Sequence, residues 1–450
     1  MKRVLIITYY WPPSGGSGVQ RWLKFAKYLP QHGWEPVVYT PLNPEPNAMD
    51  EALCREIPRG ITVLKRKIIE PYSLYKFLSG KKKGDTIEAN IISKENGGSA
   101  SARLFAFIRG NFFIPDPRCL WIRPSARFLK RYLKRNPVDA IISTGPPHSM
   151  HLIAARLGRA AKTRWIADFR DPWTGIFYFK HLPLANFAKR RHEKLEKKVL
   201  ESADGIVTVS GQIAESFRKV TKTPVTVIPN GFDPEDFAKA PDIISLPEYD
   251  LIKDKFLLLH TGILADDGNP DILWKAIAEL AAEVPGFGQK LQIRVMGQTG
   301  KSVEQAVEEA GLQKYYINMG YMPHSVIPTW QSAASLLLLP LRKEPESGGI
   351  LTGKFFEYLA SGSPILAFGP KDGDLAAALA ETGAGAIFQW DEKEAVKEYL
   401  RKKYDSWLKD CGNHTAYKSK NIENPQILRY SRKEQAARLS DLLDNITKEV

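Results

Sequence analysis

The stretch GGILTGKFFEYLASGSPILAFG, residues 348–369, reads as a short amphipathic helix running into an apolar strand. Ile350, Leu351, Phe355, Phe356 and Leu359 recur at helical spacing, whereas 364–367 is a short apolar run that begins at a proline, with Phe368 and then Gly369 after it. A helix feeding a buried strand is the unit from which parallel sheets are built.

The alternation extends through the chain. Strand-like runs fall at 4–8, 36–39, 140–143, 165–167, 205–209 and 225–228, with helical stretches between them. The pattern restarts after Asn230-Gly231-Phe232-Asp233-Pro234, with runs at 256–260, 292–296, 316–319, 336–339 and 364–367. A chain of 450 residues is long for one core. The expected class is therefore α/β, with two Rossmann-like, doubly wound domains hinged around 230–255 and facing a central cleft. Ligands of such sheets bind outside the carboxyl ends of the strands, where the βα loops gather.

Composition narrows the classes. The apolar fraction is 43%, and no run approaches the roughly 18 apolar residues of a membrane span. The start, MKRVLII, is too short in its apolar part for a signal peptide and reads as the first strand. Cys54, Cys119 and Cys411 show no disulfide or metal-ligand spacing, which points to a reducing, cytoplasmic compartment. Net charge is +14 but uneven. Residues 1–225 carry 39 Lys and Arg against 18 Asp and Glu, and 226–450 carry 25 against 32. The polar segment KKKGDTIEANIISKENGGSASA, 81–102, is too long for an ordinary α/β connection and is expected to be mobile.

Four stretches carry candidate chemistry. The first βα loop holds Ser14, Gly15, Gly16 and Gly18 ahead of a helix, where backbone amides and the helix dipole favour an anion, or where a tight turn simply needs glycine. In STGPPHSMHLIA, 143–154, His148 stands at a helix entry, placed either for proton exchange near neutral pH or for capping; His151 reads as structural. In WIADFRDPW, 165–173, Asp168, Arg170 and Asp171 share one loop, either binding a polar substrate or forming a salt-bridged turn. In the opening stretch, Gly348 and Gly349 are expected to bare amides at the start of the helix for a phosphate. Lys354 adds a cation there, and Glu357, one turn on, can accept both hydroxyls of a ribose. That combination suits a nucleoside diphosphate, the alternative being an amphipathic core helix with a solvated Lys-Glu pair. His192-Glu193 lacks the second histidine of a zinc helix and reads as a charged surface helix. No metal site and no cofactor are expected.

Taken in order, Gly15-Gly16, TGPPHS, ADFRDPW, VIPNGFD and GKFFEYLASGSPIL resemble the GT-B type glycosyltransferases of the large retaining family 4, including those that build bacterial surface polysaccharides. The resemblance covers nearly the whole chain. It implies a nucleotide-diphosphate sugar as co-substrate in the C-terminal domain, 233–424, and an acceptor site in the N-terminal domain, 1–232 plus about 425–450, with the last helix crossing back. By position, Gly262, Gly297, Tyr321 and Met322 look like the donor cradle, Gly348, Gly349, Ile350 and Leu351 like the loop at the phosphates and sugar, and Glu357 like the ribose-binding carboxylate. Departures are visible. Gly349 stands where many members place a first glutamate, and Ile263 where many place an arginine, so cation supply falls to Lys354 and Arg170. With no carboxylate placed as a nucleophile, the family implies front-side attack with the leaving phosphate as base; His148, Arg170 and Asp171 are the candidate catalytic residues.

Two other classes fit less. An epimerase on this fold needs acid and base groups on both faces of the sugar, and only His148 and the Asp168/Asp171 loop offer them. A nucleic-acid scaffold lacks any recognisable module, so no nucleic-acid partner is expected. The expected acceptor is a glycan or a polyprenyl or other lipid-linked one, reached from an anionic membrane surface. Arg127, Lys130, Arg131, Lys134 and Arg135 flank an apolar stripe of Phe128, Leu129, Tyr132 and Leu133 in one expected helix, and Phe105, Phe107, Phe112 and Phe113 precede it; each apolar group suits either a membrane boundary or the domain core.

Overall fold

The structure, a computed structural model, describes residues 1–45, 49–70, 100–161, 163–246, 248–410 and 424–448. Most of the expected polar insert, and Cys411, lie outside the described residues. The chain forms two compact units, Met1–Pro229 with Gln435–Val450, and Asn230–Glu434. The break differs slightly from the expected one. Phe232, Ile427 and Tyr430 are buried in the core of the second unit, and this holds 230–232 and 425–434 there.

In the first unit, β1 (Lys2–Ile7), β2 (Trp34–Pro41), β3 (Thr62–Arg66), β4 (Ala140–Gly145), β5 (Arg164–Phe169), β6 (Gly205–Thr208) and β7 (Val225–Val227) form one sheet in the order β3-β2-β1-β4-β5-β6-β7. Every pairing is parallel. Alternate residues feed different cores. Leu5 and Ile7 pack under the helices Ile122–Arg135, Ser149–Ala161 and Asn186–Ser202, while Val4 and Ile6 pack against the helix Ser17–Tyr28. A strand covered on both faces must be apolar throughout, which is why these strands read as continuous runs. The terminal helix Arg432–Lys448 returns to this unit. Its Ala436, Leu439 and Leu443 are buried beside Trp22 and Trp34, and Lys2 Nζ bonds Asp444 at 2.7 Å.

In the second unit, β8 (Phe256–Thr261), β9 (Leu291–Met296), β10 (Tyr316–Asn318), β11 (Leu336–Pro340), β12 (Ile365–Phe368) and β13 (Gly385–Phe388) are ordered β10-β9-β8-β11-β12-β13, again all parallel. Leu257 and Leu259 face one core, Phe256 and Leu258 the other. Strand order reverses at β1/β4 and at β8/β11, so the loops after these strands stand side by side, the place where doubly wound sheets bind ligands. Among the described residues no helix is long and apolar enough to cross a membrane.

The expected interfacial helix does form, as Ile122–Arg135, but its apolar stripe faces inward. Leu129 is buried, and Phe128, Tyr132 and Leu133 pack on the sheet core. The basic side chains remain on the solvent side.

Candidate functional site

In the second unit three glycine-containing loops align at the strand ends. Gly262 follows β8 with φ 96°, and a Cβ there would lie 2.5 Å from Lys354 Cε. Gly297 follows β9 with φ 143°, and a Cβ there would lie 2.1 Å from Gly262 O. Only glycine fits either position, because the left-handed backbone and the close approach both exclude a side chain. Gly262 N donates to Met296 O at 2.7 Å, and Leu264 N to Gln298 O at 2.9 Å, locking the two loops together. Beyond β10, Met319 N donates to Val295 O at 2.8 Å. This aligns the third loop, in which Tyr321 is 89% exposed and Met322 packs partly on the core.

The helix carrying Lys354 and Glu357 is Gly353–Ser361. Thr352 caps it through Oγ1 and Phe355 N, and Gly362, at φ 75°, ends it. This corrects one expectation. Gly348 and Gly349 do not open the helix; they close a separate 3-10 turn, Pro345–Gly349, with Ile350 N bonded to Ser347 O at 3.0 Å. Thr352 is a strong capping residue, and the side chains of Ile350 and Leu351 pack on the core. Gly348 is pressed against Gly373, where a Cβ would come within 2.9 Å of Gly348 O.

Phe355, Phe356 and Leu359 bury one face of this helix, leaving Lys354 and Glu357 on the other. Lys354 Nζ donates to Ile263 O at 2.9 Å and lies 3.3 Å from His260 Nε2. Burial pulls its ammonium down to a pKa of about 8, against a weaker upward pull from Glu357. His260, on β8, is held neutral, its pKa lowered to about 3 by burial and then by the Lys354 charge. Its Nδ1 lies 2.9 Å from Leu338 O, and its Nε2 lies between Lys354 Nζ at 3.3 Å and Ile263 O at 3.2 Å; the tautomer with Nδ1–H donated to Leu338 O leaves the Nε2 lone pair for Lys354. Glu357 is oriented as well. Gln331 Nε2 donates to Glu357 Oε2 at 3.1 Å and to Thr261 Oγ1 at 3.0 Å. Neither His260 nor Gln331 was singled out in the sequence; a polar residue inside an apolar strand or helix is the signal that could have found them.

In the first unit, Gly16 stands at the N-cap of the helix Ser17–Tyr28 with φ 99° and no capping side chain. Ser14 is buried and bridged to Met49, whereas Gly15 is half-buried and Gly16 exposed. A Cβ at Gly18 would lie 2.4 Å from Arg170 Nη1 and 3.2 Å from Tyr10 Cδ2, so the guanidinium packs directly on this backbone. Arg170 also donates to Thr144 Oγ1 at 3.2 Å and to Pro146 O. It thereby clasps the loops after β1 and β4 together. Asp168 is structural. It is buried, paired with Arg21 at 2.9 Å, and accepts from Trp22 Nε1 and Thr144 Oγ1 at 3.1 and 2.8 Å. Burial raises the pKa of neighbouring Asp171, opposed by Arg170.

His148 lies flat on Trp173, with ring centroids 4.6 Å apart and planes at 2°. Trp173 is itself fixed, donating Nε1–H to His192 Nδ1 at 3.0 Å and its backbone N–H to Glu196 at 3.1 Å. His192 is thus buried under the loop rather than on a charged surface. Burial, then the charges of His151 and Arg170, drives the His148 pKa well below the ordinary value. Burial thus favours the neutral ring, whose Nδ1 has no hydrogen-bond partner among the described residues. His151 bonds Ser143 Oγ at 2.8 Å inside the core. Among the described residues no cluster of three or more His, Cys, Asp or Glu is arranged to hold a metal.

Residues 16–236 match the model described as Glycosyltransferase Family 4, and 255–405 that of Glycosyl transferases group 1. The chain is similar to 2-deoxystreptamine glucosyltransferase of Streptomyces kanamyceticus, 26% identical over 189 residues, covering 39% of this chain and 45% of that one. It is also similar to D-inositol 3-phosphate glycosyltransferase 2 of Catenulispora acidiphila, 26% identical over 255 residues, covering 53% and 58%. The chain spans about half the length of the curated relatives it matches. Among solved structures it superposes on sucrose-phosphate synthase from Thermosynechococcus elongatus at TM-score 0.61 with 14% identity, covering 100% of both chains. Anabaena HepE in complex with UDP and glucose gives TM-score 0.59 and 14% identity, covering 99% of this chain and 100% of that one. Likenesses at such identity speak for the fold alone.

Proposed function

This chain belongs to the family 4 type of GT-B glycosyltransferases, and we propose that it moves a sugar from a nucleotide-diphosphate sugar to a glycan or lipid-linked acceptor with retention, in surface polysaccharide or glycolipid synthesis. The carrying observation is the pair Lys354 and Glu357. The cation is held by Ile263 O and His260, the carboxylate by Gln331, one helical turn apart at the strand-order switch.

In this reading Glu357 accepts the ribose hydroxyls, and Lys354 opposes the diphosphate charge that grows as the glycosidic bond breaks. The backbone around Gly262, Gly297 and 348–351 lines the donor, with Tyr321 and Met322 beside the base. The acceptor hydroxyl attacks from the face the diphosphate leaves, its proton passing to a departing phosphate oxygen, so the configuration is kept. No metal or cofactor is assigned a role. Neutral His148, braced by Trp173, orients a sugar or acceptor hydroxyl by hydrogen bonding, with Arg170 and Asp171 beside the same loops. UDP is the first nucleotide to test, because it occupies the related HepE fold.

The test is to incubate the protein with uridine, guanosine, adenosine and thymidine diphosphate sugars, with and without lipid-linked acceptor. Released nucleoside diphosphate and the anomeric configuration of the product by NMR are then measured. An α-linked donor should give an α-linked product. A β-linked product removes retention, and no binding or release with any donor removes the function.

A further inference from the structure

One helical layer of the first unit is densely basic. The helix Ile122–Arg135 turns Arg123, Arg127, Lys130, Arg131, Lys134 and Arg135 to solvent and contains no acidic residue. The helix Ser149–Ala161 packs between it and Asn186–Ser202, which exposes Lys189, Arg190, Arg191, Lys194, Lys197 and Lys198 against Glu193 and Glu201.

On Asn186–Ser202 rests a further helix, Ala100–Phe112. Its Leu104, Phe107, Ile108 and Phe112 recur at three- and four-residue spacing on one face, and are 60%, 40%, 38% and 67% exposed. Phe187 is 56% exposed, with its ring 6.3 Å from that of Phe112. The helix is firmly seated. Buried Asn111 donates to Pro183 O at 2.9 Å and accepts from Ala185 N at 2.7 Å, and Gly110 lets Leu184 approach. A fixed cluster of large apolar side chains facing water marks an interaction surface.

We infer that this face docks on an anionic lipid bilayer. Leu104, Phe107, Ile108, Phe112 and Phe187 enter the boundary between headgroups and acyl chains, while the two basic helices meet the anionic headgroups. Apolar insertion beside clustered Lys and Arg is the combination that holds peripheral proteins at such a surface. A second copy of the chain would set the basic helices against each other. A nucleic acid would satisfy the charge but leave the apolar cluster in water. The inference rests on the lipid-linked acceptor reading, which gives the docking its purpose.

Full-length protein is co-sedimented with vesicles of phosphatidylglycerol and phosphatidylcholine, and with phosphatidylcholine alone. Binding should require the anionic lipid and weaken with salt. Replacing Phe107→Ser, Phe112→Ser and Phe187→Ser together should lower partitioning about ten-fold or more, with thermal unfolding and nucleoside diphosphate binding unchanged. The inference is overturned by wild-type protein that stays in the supernatant at low salt, by a triple variant that binds like wild type, or by a lipid-free dimer that the triple variant dissolves. Should the wild type dock through this patch yet transfer no sugar to a lipid-linked acceptor, the docking stands and the acceptor reading falls.

Discussion

Lys354→Met tests the donor site by separating its stability cost from its function. Moving the ammonium from its ordinary 10.5 to about 8 corresponds to about 3 kcal/mol of burial penalty at pH 7, at roughly 1.36 kcal/mol per unit. Against that, the bonds to Ile263 O and His260 Nε2 contribute roughly 1 kcal/mol each. Methionine keeps the unbranched apolar stem, so the empty protein should gain about 1 kcal/mol, or roughly 2–4 °C in the transition of the second unit. The sign depends on pH. Below pH 8 both folded and unfolded Lys354 are protonated, and the wild type bears the whole penalty. Between 8 and 10.5 the unfolded chain keeps a proton that the folded one has released, so wild-type stability rises there relative to the variant and the variant's advantage disappears. Donor binding should move the other way. Loss of a charged hydrogen bond costs roughly 1.5–3 kcal/mol, about 10- to 100-fold in affinity for a nucleoside diphosphate. Thermal unfolding at pH 7 and pH 10, with calorimetric titration of UDP, GDP and ADP, measures both effects. A variant that is less stable at pH 7, shows the same difference at both pH values, and binds nucleotide like wild type refutes the reasoning.

The other expectations follow the same contacts. Glu357→Ala should weaken nucleoside diphosphate binding by about 10- to 100-fold, and Gln331→Ala by less, because it only orients Glu357; calorimetry on folded variants checks the order. His148→Ala should depress turnover more than donor affinity. The wild-type rate profile should show no step from His148 between pH 5 and 8, since burial holds that ring neutral; a limb in that window which vanishes in the variant contradicts this. Asp168→Ala should cost about 3–5 kcal/mol by leaving the Arg21 guanidinium buried and unpaired; chemical denaturation measures it, and a loss below 1 kcal/mol shows the pair to be unimportant. Gly297→Ala should abolish nucleotide binding, because its Cβ has no space beside Gly262 O; retained affinity shows that the loops can part.

The sequence by itself determined the sheets. Runs such as 256–261 and 365–368 are apolar at every position because both faces of a parallel strand are covered, and that is a local property of the chain. The spacing of Lys354 and Glu357 was equally legible, since one helical turn separates them whatever surrounds the helix. The tertiary structure decided what those side chains meet. Lys354 finds His260 from 94 residues away, Asp168 finds Arg21 from 147, and the packing of a helix on a strand rather than any local signal brings each pair together. It also decided the inward side of the helix Ile122–Arg135, whose stripe suited a bilayer as well as a core until the sheet beneath it claimed Leu129. The helix carrying Glu357 begins at Gly353 rather than Gly348 for a related reason. The glycines permit several turns, and the one formed is fixed by Thr352 capping Phe355 and by Gly373 packing against Gly348. Local periodicity sets which elements form and which face of each is apolar; only packing across the sheet sets which charges lose water, and hence which side chains can do chemistry.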